Sequence, residues 1–286
     1  MMAEHITADS IVSVRSLAKH FPTPGKGLFG GTPGLLRVLG DINIDIRQGE
    51  TLGLVGESGS GKTTLGRCII GIFKPDQGEV LYRDREGHVS DLIKADRATL
   101  QAVQRDIRMI FQDPFSSLNP RMRVVDIIGD ALLVNRIAKG SEREDRVAEM
   151  MKRVGLSPDK MRRYPHAFSG GERQRINIAR ALILNPRLVI ADEAVSALDV
   201  SIRAQVLDLL KQLQSELNLT YLFISHDLSV VEGICDRVAV MSQGDIVELA
   251  DTETLYRHPQ HDYTRTLLRA VPIADPRLRR VIREKA

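Results

Sequence analysis

The sequence predicts an α/β fold that combines parallel strands with an antiparallel β region and an inserted all-helical region. Residues 188–191 and 221–224 are continuous apolar runs separated by a helical pattern, which is typical of parallel strands covered on both faces. Residues 42–46 alternate strictly between apolar and polar side chains, as in a half-buried antiparallel strand. From about 114 to 172 the pattern is helical, so we expect a helical subdomain inserted into the α/β chain.

The remaining elements follow from spacing and from turn residues. The pattern predicts further strands at 11–15, 51–55, 80–82 and 107–111, and a hairpin of 238–241 with 246–248. It predicts helices at 64–70, 93–104, 124–137, 141–154 and 201–217. Ser141 and Glu144 form a capping-box pattern at the start of the helix at 141–154, and Gly155 predicts its end. The proline and glycine residues of 22–34 predict an irregular loop.

Composition limits the class of protein. The chain has 286 residues, of which 43% are hydrophobic and 27% charged, as in a globular protein with a sizeable core. A net charge of +3 gives no argument for a nucleic-acid partner. No apolar run approaches the roughly 18 residues of a membrane span, and no secretion signal is visible, so we expect a cytosolic location. Cys68 and Cys235 lie in apolar surroundings and are expected in the core.

One stretch between a predicted strand and a predicted helix fits the phosphate-binding pattern G-x-x-x-x-G-K-[ST]. It consists of Gly56, Glu57, Ser58, Gly59, Ser60, Gly61, Lys62 and Thr63, and Thr64 follows in the helix. Glycines let successive N–H groups point into one concavity, where the helix N-terminus adds a partial positive charge. Lys62 can then reach the β- and γ-phosphates, and the Thr63 hydroxyl can bind Mg²⁺. The alternative is a glycine-rich turn without a ligand, which the flanking elements disfavour.

The apolar run at 188–191 ends in two carboxylates, Asp192 and Glu193. A strand buried on both faces should not end in two charges unless they serve a purpose, because burying charge is costly. Asp192 can hold Mg²⁺ through its water shell, and Glu193 can orient or deprotonate an attacking water. The alternative is a solvated pair in a loop. The phosphate-binding pattern upstream favours the catalytic interpretation.

A second candidate anion site precedes a later helix. Ser169, Gly170 and Gly171 expose backbone N–H groups at the start of that helix. In isolation, a plain helix cap by Ser169 is the favoured alternative.

Taken together, these motifs resemble the ATP-binding cassette (ABC) ATPase family, in the family's order and over nearly the whole chain. The resemblance identifies 56–63 as the Walker A loop, 169–172 as the signature motif and 188–192 as the Walker B strand, followed by Glu193. It also identifies Gln112 as the Q-loop glutamine and 196–199 as the D-loop, with Asp199 as its aspartate. His226 matches the switch histidine, and Phe21 matches the aromatic residue that packs on adenine. Glu172 stands where glutamine is commoner.

The resemblance implies that two such domains pack head to tail around two ATP molecules. Lys62, Thr63 and Mg²⁺ would hold the phosphates in one subunit, with Asp192 and Gln112 also near the ion. Ser169 and Gly171 of the partner subunit would close on the γ-phosphate. ATP would therefore favour the closed dimer, and hydrolysis would loosen it.

The resemblance also implies roles in hydrolysis and in coupling. Glu193 would act on the water, His226 would contact the γ-phosphate, and Gln112 would connect the site to the helical subdomain, which docks on membrane subunits in this family. Since no catalytic position departs from the active pattern, we expect a hydrolysing subunit.

Three segments, 115–124, 192–201 and 261–272, resemble the dipeptide and oligopeptide importers within the family. This implies an ABC domain over 1–250 and a C-terminal extension over 251–286. It also implies a peripheral location on the cytoplasmic face of the inner membrane and three kinds of partner, namely two transmembrane permeases, a second ABC ATPase and an extracytoplasmic solute-binding protein. Because no cysteine follows Cys235, we expect no iron–sulfur cluster of the kind that some relatives carry. The basic end after Pro276 could equally be a solvated tail.

Three alternatives stay open. The same subfamily includes importers of nickel, glutathione or other small solutes. A soluble ABC ATPase that acts on DNA or ribosomes is disfavoured, because this chain has one cassette and a short helical insertion. A regulator that binds nucleotide without hydrolysis would differ in its response to replacement of Glu193.

Overall fold

The computed structural model describes residues 6–23, 34–113 and 116–270. Within these ranges the strands are β1 (Ser10–Thr23), β2 (Gly34–Arg47), β3 (Thr51–Val55), β4 (Gln77–Arg83), β5 (Val89–Asp91), β6 (Ile107–Ile110), β7 (Leu188–Asp192), β8 (Thr220–Ser225), β9 (Arg237–Ser242) and β10 (Asp245–Asp251). The helices are α1 (Lys62–Ile69), α2 (Arg97–Asp106), α3 (Val124–Val134), α4 (Gly140–Arg153), α5 (Gly170–Leu182), α6 (Val200–Leu217), α7 (Leu228–Ile234), α8 (Thr252–Arg257) and α9 (Asp262–Ala270). Short 3-10 helices lie at Pro158–Lys160 and Pro165–Ala167.

The strands form two sheets, which confirms the predicted fold class. One sheet is antiparallel, with the order β2-β1-β4-β5. The other has the order β10-β9-β3-β8-β7-β6, and all its neighbours are parallel except β10 on β9. Helix α6 is the crossover between the parallel neighbours β7 and β8, as predicted. The hairpin of β9 and β10 is also as predicted, and its turn residues Gln243 and Gly244 both have positive φ.

Strand order brings four distant segments to one edge of the parallel sheet. Val55 at the end of β3 pairs with Ser225 at the end of β8. Asp192 at the end of β7 pairs with Ile224, and Ala191 pairs with Ile110 at the end of β6. The segments that follow β3, β8, β7 and β6 therefore all begin at the carboxyl edge of this sheet, where ligands of α/β proteins bind.

The parallel sheet is buried on both faces. Leu54 packs into a core shared with β1, β2 and α1, whereas its neighbour Val55 packs into a core shared with α3, α5 and α6. The predicted alternation in β2 is present, since its isoleucines are buried and Asn43 is exposed. Cys68 and Cys235 are buried in these cores, and burial raises the pKa of both thiols. None of the helices in the described ranges is long and apolar enough to cross a membrane.

Several predicted helix boundaries differ from those of the structure, most of all at the start of α2 and the end of α3. The capping box at Ser141 does not form, because the chain enters α4 one residue earlier, at Gly140 with φ +57°, and Glu144 pairs with Arg162 instead. Helix α2 begins at Arg97 rather than Ile93, since the side chain of Asp96 accepts from Thr99 N. It follows β5, a strand that the pattern did not predict.

Helix α3 ends at Val134 instead of Ile137, and Arg136 then takes a positive φ of 55°. The predicted loop at 22–34 is shorter than expected at both ends, because Pro22 and Thr23 belong to β1 and Gly34 to β2. Residues 24–33 of this loop and the tail from 271 lie outside the described residues. The predicted stop at Gly155 is confirmed by its N–H, which donates to Lys152 O.

Candidate functional site

The loop between β3 and α1 requires glycine at two positions. Gly56 has φ +151°, and a Cβ atom there would lie 2.1 Å from the carbonyl oxygen of Met241. Gly61 has φ +106°, and a Cβ atom there would lie 2.7 Å from the carbonyl oxygen of Val38. Backbone is the obstacle in both places and cannot move aside, so the sequence pattern of the loop reflects its close packing on β2 and β9.

Lys62 is the buried cation of this loop and is only 5% exposed. Its Nζ donates to the carbonyl oxygens of Gly56 at 2.8 Å and Glu57 at 2.7 Å, and lies 3.3 Å from Ser60 Oγ. Burial lowers the pKa of Lys62, while the negative charges of Glu193 and Asp192 act in the opposite direction. The ammonium group is therefore held at the centre of the loop, where a phosphate would meet it.

Thr63 and Asp192 form a pair of oxygen ligands. The Thr63 hydroxyl donates to Asp192 Oδ1 at 2.9 Å, although the two residues are 129 positions apart. Asp192 is 2% exposed, and burial raises the pKa of its carboxyl group against the effect of the Thr63 hydroxyl. Gln112 lines a cavity of about 410 Å³ together with Asp192. Hydroxyl, carboxylate and amide oxygens are the ligands that Mg²⁺ prefers, so this set fits that ion.

Glu193 is held between Gln112 and His226. Gln112 Nε2 donates to Glu193 Oε2 at 2.7 Å, and His226 Nδ1 lies 3.2 Å from Glu193 Oε1. The Glu193 backbone has a positive φ of 48°, and its N–H donates to Ile224 O on the adjacent strand. A non-glycine residue in this region is strained, and such strain clusters at functional sites. The three predicted catalytic residues are therefore in direct contact at the carboxyl edge of the sheet.

The segment after Glu193 is tied to it. Ser196 donates twice to the carbonyl oxygen of Glu193, from Oγ at 2.9 Å and from the backbone N–H at 3.1 Å. Asp199 is exposed at the N-cap of α6 and makes no side-chain cap bond there. No hydrogen bond described for the Asp199 side chain joins it to Glu193.

Ser169 is a helix cap, which was the alternative interpretation of this motif. Its Oγ accepts from Glu172 N at 3.3 Å, and Glu172 Oε2 accepts from Ser169 N at 3.0 Å, so the two form a reciprocal capping box. The Ser169 backbone N–H lowers the pKa of Glu172, as does Lys160 at 2.9 Å. The side-chain hydrogen bonds described for Ser169 go to Glu172, and its carbonyl oxygen accepts from Arg173 N. None of the described hydrogen bonds joins 169–171 to the loop at 56–63 of the same chain.

Phe21 lies on the antiparallel sheet and is half-buried. Its ring contacts the ring of Phe73 edge-on, with 5.3 Å between the centroids. The guanidinium of Arg67 in α1 lies 5.6 Å from the Phe73 centroid. Phe21 therefore reaches α1, the helix that begins at the loop of residues 56–63, indirectly, through the ring of Phe73.

Sequence reasoning missed one contact to the loop. The N–H of Glu57 donates to the hydroxyl oxygen of Tyr263 in α9 at 3.1 Å, across 206 positions. Tyr263 lies in the segment at 261–272 whose resemblance to importer ATPases is visible in the sequence, and that resemblance is the only signal that could have drawn attention to it. Nothing local to Tyr263 indicates a contact with residue 57.

Comparisons with known proteins cover the segments that form this site. The family model described as ABC transporter matches residues 39–196, which include the loop, the carboxylates and Ser169. The model described as oligopeptide/dipeptide transporter, C-terminal region, matches residues 247–286. This chain belongs to the ABC transporter family and is one of its ATP-hydrolysing, ATP-binding subunits.

Its relatives point to a narrower group. The chain is 49% identical over 269 residues to the oligopeptide transport ATP-binding protein OppF of Bacillus subtilis. This match covers 94% of this chain and 84% of OppF. It is 48% identical to AppF of the same organism, with 94% of this chain and 80% of AppF covered. It is also 48% identical over 280 residues to the glutathione import ATP-binding protein GsiA of Salmonella choleraesuis, covering 97% of this chain but 44% of GsiA.

Solved structures share the fold. A dimeric ATP-binding cassette in a post-hydrolysis state, bound to ADP and phosphate, superposes with a TM-score of 0.71 at 27% identity. That match covers 84% of this chain and 98% of the other. The cbiO1 protein of Clostridium perfringens, part of an ABC transporter complex, gives a TM-score of 0.75 at 26% identity, with 96% and 99% covered.

Proposed function

We propose that this chain hydrolyses MgATP to power import of di- or oligopeptides across the cytoplasmic membrane. The observation that carries the chemical part is the convergence of Lys62, the Thr63–Asp192 pair and Glu193 at one edge of the sheet. The match of the C-terminal region and the names of the peptide-transport relatives support the peptide part. Import of glutathione is the second candidate, because GsiA is nearly as similar over its matching portion.

The loop residues bind the nucleotide in this proposal. Phosphoryl transfer requires mainly positioning and charge neutralisation, so the ammonium of Lys62 turns from the loop carbonyls to the β- and γ-phosphates. Backbone N–H groups at the start of α1 supply further donors, because the N-terminus of a helix favours an anion. Phe21 packs on the adenine base from the antiparallel sheet.

Glu193 acts on the attacking water. Its carboxylate has one oxygen held by Gln112 and the other near His226, so its orientation is set before a substrate arrives. A carboxylate so oriented accepts a proton from the water as the oxygen attacks the γ-phosphorus. His226 is half-exposed beside Glu193. In this proposal it contacts the γ-phosphate.

Thr63, Asp192 and Gln112 would hold the magnesium ion. When bound, the ion neutralises charge on the β- and γ-phosphate oxygens. Asp192 is buried and its pKa is raised, so a cation beside it also offsets the cost of its negative charge.

The signature residues complete the site from a second subunit. Ser169, Gly170 and Gly171 are exposed or half-exposed at the start of α5, whose N-terminus favours an anion. Since these residues make no described contact with the loop of their own chain, we propose a head-to-tail dimer in which they meet the partner's nucleotide and Asp199 lies at the interface. A dimeric cassette among the similar solved structures supports this arrangement.

The other partners follow from the same proposal. The ABC domain spans 1–250, its helical subdomain at about 114–172 docks on two transmembrane permeases, and the C-terminal extension spans 251–286. The chain then lies on the cytoplasmic face of the membrane and receives solute from an extracytoplasmic binding protein. Nucleic acid has no role.

Lys62→Ala tests the nucleotide site. The variant loses a charged donor to the phosphates, and each charge-assisted hydrogen bond is worth about 1.5–3 kcal/mol. Its affinity for MgATP should therefore fall by about tenfold or more. Equilibrium binding of a fluorescent ATP analogue measures this. Lys211→Ala, an exposed lysine of α6, is the matched control and should bind normally. Retained tight binding by Lys62→Ala would count against the loop assignment.

Uptake assays test the solute. In a strain that lacks this chain, the wild-type gene should restore uptake of a labelled tripeptide and Lys62→Ala should not, while Lys211→Ala should. Labelled glutathione and nickel are measured in the same cells. Restored glutathione uptake without peptide uptake would replace the peptide proposal by the second candidate.

A further inference from the structure

One peptide group of the phosphate loop is held from both sides. The carbonyl oxygen of Gly56 accepts from Lys62 Nζ at 2.8 Å, and the N–H of Glu57, which belongs to the same peptide group, donates to the Tyr263 hydroxyl at 3.1 Å. Glu57 O accepts from Lys62 as well and from Ser60 N. The N–H of Glu57 thus has its described partner outside the loop, on α9.

The two supports differ in what happens when ATP binds. Lys62 leaves the loop carbonyls for the phosphates in the proposed mechanism, so the Gly56–Glu57 peptide then loses its cationic support. Gly56 has a positive φ and no side chain, so residue 56 itself offers no side chain that would oppose rotation of this peptide. The Tyr263 hydroxyl is the support that stays.

Tyr263 is held in position by contacts of the residues that precede it in the chain. The Glu248 carboxylate on β10 accepts from Gln260 N at 2.8 Å and His261 N at 2.9 Å, which sets the turn before α9. Further back, Leu255 of α8 is fully buried, and Thr252 Oγ1 donates to Cys235 O at 2.6 Å. A hydroxyl on an element anchored in this way can hold a loop in place.

We propose that Tyr263 is a positioning residue for nucleotide binding, which fixes the Gly56–Glu57 peptide while Lys62 moves to the phosphates. This inference rests on the proposed function of the loop. It extends the ATP site to the C-terminal extension, so a partner that shifts α9 would change nucleotide affinity without touching the nucleotide.

Tyr263→Phe removes the hydroxyl and keeps the ring. We expect KM and Kd for MgATP to rise roughly three- to tenfold, as for loss of one hydrogen bond, with kcat within about twofold of wild type. The kcat value should stay because Glu193 and its two neighbours are untouched. Steady-state ATPase kinetics and equilibrium nucleotide binding on the full chain measure both.

Tyr221→Phe is the matched control. Tyr221 is buried at the start of β8, at the opposite end of the strand from the phosphate loop, and its hydroxyl donates to Leu210 O at 3.3 Å. The same chemical change there should lower the melting temperature and leave KM unchanged. If both variants raise KM equally, the effect is general destabilisation and the inference is overturned.

Two further variants separate the possible failures. Glu248→Ala frees the turn before α9, so it should raise KM as Tyr263→Phe does, and the double variant should show little additional rise. Full additivity would contradict the inference. An unchanged KM in Tyr263→Phe, with binding lost in Lys62→Ala, overturns this inference alone, whereas normal binding in Lys62→Ala overturns the proposed function beneath it.

Discussion

Glu193→Gln is the substitution that most directly tests the proposed hydrolysis chemistry. Glu193 has two polar neighbours, Gln112 Nε2 at 2.7 Å and His226 Nδ1 at 3.2 Å. An amide of the same shape keeps one acceptor oxygen but turns a donor toward the other neighbour. The stability cost is therefore that of about one hydrogen bond, roughly 0.5–1.5 kcal/mol, and the variant should remain folded.

The expected cost to catalysis is much larger. A neutral amide cannot accept a proton from water, and general-base catalysis contributes about 10²- to 10⁴-fold, or roughly 2.7–5.5 kcal/mol of barrier. Affinity for ATP should persist, because Lys62 and Thr63 are unchanged. We therefore expect ATP-bound dimers to accumulate, since hydrolysis no longer separates them.

The assay combines three measurements on the same preparation. Single-turnover phosphate release gives the chemical step, equilibrium binding gives the affinity, and size-exclusion chromatography with and without ATP gives the dimer fraction. Glu232→Gln, an exposed glutamate of α7, is the matched control and should behave as wild type. Phosphate release by Glu193→Gln within about tenfold of wild type would refute Glu193 as the base, because general-base catalysis is worth at least about 10²-fold.

Two further predictions concern the buried groups of the site. Burial raises the pKa of Asp192, so the folded state binds the Asp192 proton more tightly than the unfolded state does. The contribution of this carboxyl group to stability is therefore lost as pH rises above 3.8, the ordinary pKa of the group. Asp192→Asn should therefore melt at a higher temperature than wild type at pH 7.5, and this gain should vanish toward pH 3.8. ATP hydrolysis by the variant should collapse. Calorimetry across pH measures the melting temperatures, and a lower melting temperature of Asp192→Asn at pH 7.5 would contradict the prediction. Gly61→Ala forces a Cβ to 2.7 Å from Val38 O at φ +106°, so it should lower the free energy of unfolding by about 2 kcal/mol or more, as for steric strain. Denaturant unfolding measures it, with Gly233→Ala as control, since a Cβ there meets nothing within 4 Å.

Local sequence was sufficient wherever the chemistry lies in consecutive residues. The phosphate loop was predictable because a strand, three glycines, a lysine and a helix must follow one another for backbone N–H groups to converge. The continuous apolar run of β7 indicated burial on both faces and made its two terminal carboxylates conspicuous. The prediction of a capping box at Ser141 was wrong because the same sequence pattern also occurs at positions that do not cap a helix. The start of α4 was decided by the conformation of the chain at Gly140.

Contacts between distant segments were decided by tertiary structure. Gln112, Glu193 and His226 could be named from family resemblance, but their contact depends on the strand order β3-β8-β7-β6, which no local pattern contains. The hydrogen bond from Glu57 to Tyr263 spans 206 positions and arises from the anchoring of α9 on β10. The sequence alone determined which groups can bind a phosphate, because that ability belongs to short segments. Packing decided which groups meet, because the edge of a sheet gathers residues by the order of its strands rather than by their order in the chain.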